Sequence, residues 1–328
     1  MILKHRTPPP EIFQLASLLK RIPPNHPQFP HWTEKLRRIS AGYHGEQRVD
    51  SLWHEIDIPI PHYFIHDLFI QKPKSSHQMD TVLVTGRFVL ILEIKSISGV
   101  LNFDSQTRQF SRTNKDGSID GLRNPDDQIR RHEKWMAHFL EQHNLVLPVI
   151  GAIIFAYPSA IIASKAGNRI LIQSSGLPYL LDELLSVHNE DALSKKSAKN
   201  LAAKLLRLHS TKPLAMPMLP ASFLKGVLCP RCDGQILLYT RKKWRCGACL
   251  YADAHSHLSA LAHYRHLVGL TITNREFRDF TSVSSIATSS KLLKSAQMPF
   301  QGSYKDRVYF IPEEIGALES ISPPTDSI

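Results

Sequence analysis

Gln78-Met79-Asp80-Thr81-Val82-Leu83-Val84-Thr85-Gly86-Arg87-Phe88-Val89-Leu90-Ile91-Leu92-Glu93-Ile94-Lys95 reads as two β-rich runs hinged at Gly86, because Gly-X is a favoured two-residue hairpin loop. With Gly86-Arg87 as that loop, Thr85 faces Phe88, and counting outward sets Asp80 opposite Glu93. Like charges facing each other across a ladder, with Cβ atoms about 5 Å apart, destabilise the pair unless a cation lies between them. Glu93 and Lys95 are two residues apart and project from one face of the strand. Glu-x-Lys on its own is common on solvated edges, where its ion pair is weak. Here it ends Val89-Leu90-Ile91-Leu92, apolar at every position and therefore read as a central strand buried on both faces. Charges at the end of such a strand are costly unless paired or metal-bound, and two carboxylates with a lysine suit phosphodiester chemistry.

Length and charge bound the rest. At 328 residues the chain is long enough for about two domains. Forty basic against 29 acidic residues give a net charge of +11, a field that favours a polyanion. DNA is the leading partner and RNA the second. No apolar run reaches the roughly 18 residues of a membrane helix, and Met1 to Pro10 is basic and proline-rich with no apolar segment behind it. The expected location is the cytoplasm, with no membrane partner.

Residues 1–40 mix prolines with two short amphipathic stretches, Glu11 to Arg21 and Thr33 to Ile39, and read as a wrapping segment. From Gly42 a helical period appears, with Val49, Leu52, Trp53 and Ile56 on one stripe and Glu46 a turn earlier. Strands follow at His62 to Ile70, in the hairpin, and at Gly99 to Phe103. Asn124-Pro125 opens a helix carrying Gln128 and His132, and a β-branched strand lies near Val149 to Phe155. The order αβββαβ defines an α/β domain over 41–188, followed by a helical linker at 189–225.

Cys229-Pro230-Arg231-Cys232 and Cys246-Gly247-Ala248-Cys249 are separated by 13 residues. Paired CxxC knuckles at this distance predict a four-thiolate structural zinc site in a ribbon over 226–257. Clustered cysteines also point to a reducing compartment rather than to disulfides. Arg241, Lys242, Lys243, Trp244 and Arg245 interleave an aromatic with bases, which suits a nucleic-acid surface and equally suits solvated charge on a small domain. His255, His257, His263 and His266 match no zinc spacing. The module at 258–328 reads as two short helices around a turn and then a basic strand pair. That order is winged-helix-like, with Ser289, Ser290, Lys291 and Lys294 expected on the exposed second helix; a helical cap on the ribbon is the alternative.

Gly42-x-x-Gly45-Glu46, Gln78-Met79-Asp80, Glu93-Ile94-Lys95-x-x-x-Gly99 and Asn124-Pro125-x-x-Gln128 together resemble the nuclease-related domain (NERD) family over roughly 41–140, and a C-terminal four-cysteine ribbon is similar to bacterial members. The resemblance implies a restriction-endonuclease-like PD-(D/E)xK core. In it Asp80, Glu93 and the Ile94 main-chain carbonyl would hold Mg²⁺ or Mn²⁺, Lys95 would orient the attacking water, and Glu46 and Gln128 would complete the site. Two function classes are open at this stage: a metal-dependent deoxyribonuclease aided by a zinc ribbon, and a nucleic-acid-binding protein whose nuclease fold is catalytically silent.

Overall fold

The computed structural model describes residues 1–316 except 74, 105, 165, 166 and 233, and except the side chain of residue 305. Residues 317–328, the end of the expected C-terminal module, lie outside the described residues. The chain forms two compact units, each from two stretches: Met1–Pro8 with Ala41–Pro213, and Pro9–Ser40 with Leu214 onward. The expected wrapping segment is thus shared between the units, and the ribbon and the C-terminal module fall in one.

The first elements are β1 (Ile2–Lys4), α1 (Pro10–Leu19) and α2 (Phe29–Leu52). The two helical stretches read between Thr33 and Ile56 are one continuous helix as far as Leu52, because nothing after Pro30 breaks it, and Trp53 and Ile56 of the expected stripe lie beyond its end. Gly42 and Gly45 weaken helix propensity by about 1 kcal/mol each without removing a hydrogen bond. Next come β2 (His62–Lys72), β3 (Ser75–Thr85), β4 (Val89–Lys95), β5 (Gly99–Phe103), β6 (Phe110–Thr113), β7 (Ile119–Leu122), α3 (Pro125–Gln142), β8 (Val149–Phe155), β9 (Ala160–Ile162), β10 (Ile170–Gln173), α4 (Leu177–Val187) and α5 (Lys195–Arg207).

A six-stranded sheet of order β1-β2-β3-β4-β8-β10 carries the first unit, antiparallel from β2 to β4 and parallel at β1–β2, β4–β8 and β8–β10. The smaller sheet β7-β6-β5-β9 stands beside it. Strand alternation separates two cores. Val82, Val84, Val89 and Ile91 face α3, α5 and the small sheet, whereas Leu83, Leu90 and Leu92 face Val49 of α2 and the leucines of α4. The four residues Val89 to Leu92 are fully buried, as a strand flanked on both edges and covered on both faces requires.

The β3–β4 turn falls at Gly86-Arg87, but for a different reason from the one the Gly-X pair suggests. Gly86 is not among the residues with positive φ. The Thr85 hydroxyl closes the turn by accepting the N–H groups of Arg87 (3.1 Å) and Phe88 (2.9 Å). Glycine is needed because a Cβ there would lie 2.6 Å from the Leu193 carbonyl oxygen, where the Gly86 carbonyl accepts the N–H groups of Ala192 and Leu193.

The second unit begins its C-terminal part with β11 (Val227–Leu228), β12 (Ile236–Thr240), β13 (Lys243–Arg245) and β14 (Ala252–Asp253), an antiparallel sheet in sequence order. It continues through α6 (His257–Leu267), β15 (Thr271–Thr273), α7 (Asn274–Thr281), α8 (Ile286–Ser295), β16 (Phe300–Gln301) and β17 (Val308–Phe310), with sheet order β15-β17-β16. Helix α1 joins this unit through Arg21, which follows its last turn and is fully buried. The guanidinium donates to His263 Nδ1 at 3.0 Å and to the carbonyls of Leu224 and Gly226.

The two glycines of α2 differ sharply in surroundings. A Cβ at Gly45 would overlap Ser96 Oγ and come within 3.1 Å of Ala156 Cβ, whereas one at Gly42 would meet nothing within 4 Å. Gly45 therefore lets α2 approach the ends of β4 and β8, and it brings Glu46 there too. Gly45→Ala is expected to destabilise the protein by about 1–3 kcal/mol. Gly42→Ala should stabilise it by up to about 1 kcal/mol; urea midpoints of the two variants measure the contrast.

Candidate active site and thiol cluster

Glu46 is supplied by α2, Asp80 by β3, Glu93 and Lys95 by the end of β4, and Gln128 by the start of α3. The β3–β4 ladder pairs Val84 with Val89, Leu83 with Leu90, Val82 with Ile91 and Thr81 with Leu92, the register that sets Asp80 level with Glu93. The pairing stops at Thr81–Leu92. Beyond it the Asp80 carboxylate accepts the Ile94 N–H at 2.7 Å, so a side chain replaces the ladder at the point where the strands separate. Lys95 Nζ donates to Glu93 Oε1 at 2.6 Å and reaches Gln128 Oε1 at 3.4 Å. The structure thus brings Asp80, Glu93, Lys95 and Gln128 into one connected group.

Glu46 enters that group through a residue absent from the sequence reading. Arg6, with a side chain only 4% exposed, donates to Glu46 Oε2 at 2.7 Å, to both Asp50 oxygens (2.6 and 3.2 Å), to the Asp80 carbonyl at 2.7 Å and to Thr81 Oγ1 at 3.1 Å. His66 Nδ1 lies 3.1 Å from Thr81 Oγ1 and 3.2 Å from Asp50 Oδ1. Asp50 follows Glu46 by one turn of α2, and His66-Asp67 interrupts an otherwise apolar strand. Those were the available signals. Asp67 has φ of +48°, outside the ordinary range of a side-chain-bearing strand residue, and the β2–β3 pairing skips it between His66–Thr81 and Leu68–Met79. This local distortion lies directly opposite Asp80.

Electrostatics follow from burial. Removal from water, and then the Asp80 charge, push Glu46 up to about 8 against the pull of Arg6. Burial followed by Asp80 likewise raises Glu93 to about 8 despite Lys95. Burial raises Asp80 as well, opposed by Lys95, the Ile94 amide and Arg6. For Lys95 burial favours the neutral amine, but Glu93 and Asp80 reverse it and hold the ammonium above its ordinary range. Asp50 is also penalised by burial, yet hydrogen bonds from His66 and Arg6 keep it below the usual carboxylate range. Among the described residues Glu93 Oε2, which is buried, has no hydrogen-bond partner, and burying such an atom is costly unless a cation or proton meets it. The carboxylates of Asp80 and Glu93 are in this sense suited to a hard divalent cation, which takes oxygen ligands and retains several waters.

Among the described residues, the four cysteines alone bring three or more potential ligand atoms within 4.8 Å of one another. Cys229 Sγ and Cys249 Sγ are 3.6 Å apart. Four thiolates about 2.3 Å from a tetrahedral zinc ion would stand about 3.8 Å from each other, so the cluster fits that metal. Backbone amides of Cys249 and then Ala248 lower the Cys246 thiol to about 7, whereas hydrogen bonding to Cys249 pushes Cys232 up to about 12 and burial raises Cys229. Of the residues expected on a nucleic-acid surface, Arg241, Lys242, Lys243 and Arg245 are exposed. Trp244 is not: it is 1% exposed and packs against Tyr239. Alternation along β13 turns it inward, so it is a core residue and cannot stack on bases. His257 and His263 are also buried, and His263 accepts from Arg21. The histidines are no part of the metal-ligand cluster found among the described residues.

Residues 41–156 match the nuclease-related domain family. That span begins at α2 and ends just past β8, and so contains Glu46, Asp80, Glu93, Lys95 and Gln128. No curated protein and no solved structure matches the chain. No helix among the described residues is long and apolar enough to cross a membrane.

Two outcomes follow from this chemistry. A carboxyl whose pKa is raised in the fold contributes stability that is present below its unfolded value of 4.5 and lost as pH rises through about 8. Metal-free protein should therefore lose thermal stability over that window, and Mg²⁺ or Mn²⁺ should raise Tm more at about pH 8 than at about pH 6, a difference that Glu93→Gln diminishes. For the thiols, elemental analysis should find about one zinc per chain, and Cys246→Ser should abolish its retention.

Proposed function

We propose, on the premise of a nuclease-related domain, that this protein hydrolyses phosphodiester bonds of DNA with a divalent cation, Mg²⁺ or Mn²⁺, at Asp80 and Glu93. The observation that carries the reading is the buried Glu93 Oε2, unpartnered among the described residues, whose sister oxygen accepts from Lys95 Nζ at 2.6 Å at the end of an apolar strand. The succession α2-β2-β3-β4-α3-β8 supports a restriction-endonuclease-like core, with β5 to β7 inserted before α3.

A cation held by Asp80, Glu93 and the Ile94 carbonyl would supply charge stabilisation at the scissile phosphate and acidify a bound water. The protein's own groups do the remainder. Lys95, anchored by Glu93 and within reach of Gln128, positions the attacking water and offsets negative charge gathering on the phosphate. Glu46, steadied by Arg6, faces the same centre and orients a water there. Arg6 also donates to the Asp80 carbonyl, fixing the strand that presents the Asp80 carboxylate. In the second unit the four thiolates hold a structural zinc that does no chemistry, being a closed site, and the ribbon's exposed bases contact phosphate. The order α6-β15-α7-α8-β16-β17 supports a winged-helix module next to it.

Cleavage of plasmid, linear duplex and single-stranded DNA, and of RNA, tests this reading with Mg²⁺ and with Mn²⁺. Asp80→Ala and Glu93→Ala are expected to abolish metal-dependent cutting. Lys95→Ala should slow it by about 10²–10⁴-fold while leaving metal-induced thermal stabilisation in place. Wild-type rates in Glu93→Ala would overturn the assignment, and no cleavage of any substrate by the parent protein would favour the silent binding fold.

A further inference from the structure

We propose that helix α8 and the ribbon hairpin β12–β13 form one docking surface for double-stranded DNA, with α8 as the element that enters the major groove. The inference goes beyond hydrolysis in the first unit and stands without it.

Helices α7 and α8 are joined by the four residues Ser282-Val283-Ser284-Ser285, the length of a helix-turn-helix connection. Ser282 takes the left-handed conformation with φ of +60°, and Val283 is buried, so the turn is pinned rather than loose. A reciprocal Thr273–Glu276 capping box starts α7, and Asn274 ties it to α8 by donating to Ser290 Oγ at 3.0 Å. Helix α8 is two-sided. Ser289, Leu292 and Leu293 are buried, whereas Ile286, Ala287, Lys291 and Lys294 are exposed along the opposite stripe. Ser289 is thus structural, contrary to its expected exposure: its hydroxyl donates to the Ser285 carbonyl at 2.7 Å.

The ribbon reaches the same place. A groove of about 320 Å³ lies between β12 and the α7–α8 turn, lined among others by Leu238, Thr240, Ser282, Ser284 and Thr288, with Trp244 also at its wall. At the tip of the hairpin Arg241 and Lys242 have φ of +51° and +63°, the paired left-handed conformation of a tight hairpin turn. Lys243 and Arg245 follow on the exposed face of β13. From Ile236 to Arg245, and again from Phe280 to Tyr304, the sequence holds no acidic residue. Lys291 and Lys294 form no ion pair among those found in the described residues.

A surface of unopposed bases and hydroxyls fits a polyanion, since lysine, arginine, serine and threonine supply most phosphate contacts. Its shape selects among polyanions. A helix whose exposed stripe carries two unopposed lysines beside Ala287 fits the roughly 12 Å major groove of B-form DNA, whereas the narrow major groove of A-form RNA excludes it. Single-strand binding relies on aromatic platforms; the ribbon's tryptophan is buried, and the exposed rings Phe300, Tyr304 and Phe310 lie on or beside β16 and β17 rather than on α8 or the β12–β13 hairpin.

The test uses the full-length, zinc-loaded chain without added Mg²⁺ and a fluorescein-labelled duplex of about 30 base pairs and mixed sequence, with the single strand and a duplex RNA of equal length as comparators. Lys291→Ala/Lys294→Ala and, separately, Arg241→Ala/Lys242→Ala should each weaken duplex DNA binding at least about fivefold at moderate salt. Each pair should also reduce the log–log salt slope by about 1.8, or 0.9 per phosphate contact. Ala287→Glu, on the same stripe, should weaken binding without lowering Tm. An unchanged affinity and salt slope in either lysine or arginine pair would overturn the shared surface, as would tighter binding of single strands or duplex RNA. Plasmid cleavage at saturating DNA separates the two readings. Duplex binding through α8 by a protein that never cuts leaves this inference standing, whereas cutting by variants that bind as tightly as the parent defeats it alone.

Discussion

Four carboxylates, Glu46, Asp50, Asp80 and Glu93, are drawn to the end of a buried sheet; Arg6 pairs with Glu46 and Asp50 and Lys95 with Glu93, while the Asp80 carboxylate accepts only the Ile94 N–H among the hydrogen bonds of the described residues. If all six are ionised the cluster carries two uncompensated negative charges, the amount one divalent cation neutralises. Much of the first unit can be read as the means of holding that cluster together. Gly45 removes a side chain so that α2 can approach, the apolar strand β4 fixes the height of Glu93, and the β2–β3 ladder is interrupted at Asp67, opposite Asp80. Protonation is the alternative response, and burial together with the Asp80 charge pushes both Glu46 and Glu93 up to about 8.

The β3–β4 hairpin was legible because a two-residue period and a fully apolar run admit few registers, and a slip of one residue would send every side chain to the opposite face. The helix start at Asn124 was legible as well: its side chain accepts the Asp126 N–H at 2.9 Å, with proline next in sequence. Arg6 was not. Its role depends on β1 pairing in parallel with β2, a contact across some sixty residues, and no local pattern encodes a pairing of that range. The reason for Gly86 was hidden in the same way, since the chain that crowds it lies more than a hundred residues ahead. Trp244 shows the converse difficulty. Composition suggested a basic aromatic patch, but the pleat of β13 divides its neighbours, bases outward and ring inward.

In the second unit the four thiols and Arg21 hold separate parts of one core. The knuckles gather the ends of the ribbon strands, with Cys229 and Cys246 buried beside Trp244. Arg21 is buried far enough that its guanidinium falls to about 9, and it binds main-chain carbonyls and His263 rather than any carboxylate. Its face also meets the Phe280 ring at 4.5 Å, a contact suited to a cation removed from water. A charged residue thereby does the work of a core side chain at the junction of α1, α6 and α7.

The chain crosses from one unit to the other three times, after Pro8, within α2 after Ser40, and after Pro213. During synthesis this interleaving imposes an order. Arg6 leaves the ribosome before Glu46, Asp50 and Asp80 exist to receive it, and α1 follows with Leu18, and then Ile22 just past its end, whose buried partner Leu267 is made some 245 residues later. The nascent chain must carry that helix, with only Phe29 and Trp32 of its later cluster partners yet made, through the completion of the whole first unit. A gene rearrangement that joined either unit to another protein by a single junction would strand part of it, so the two units are expected to be inherited together, even though each has its own core.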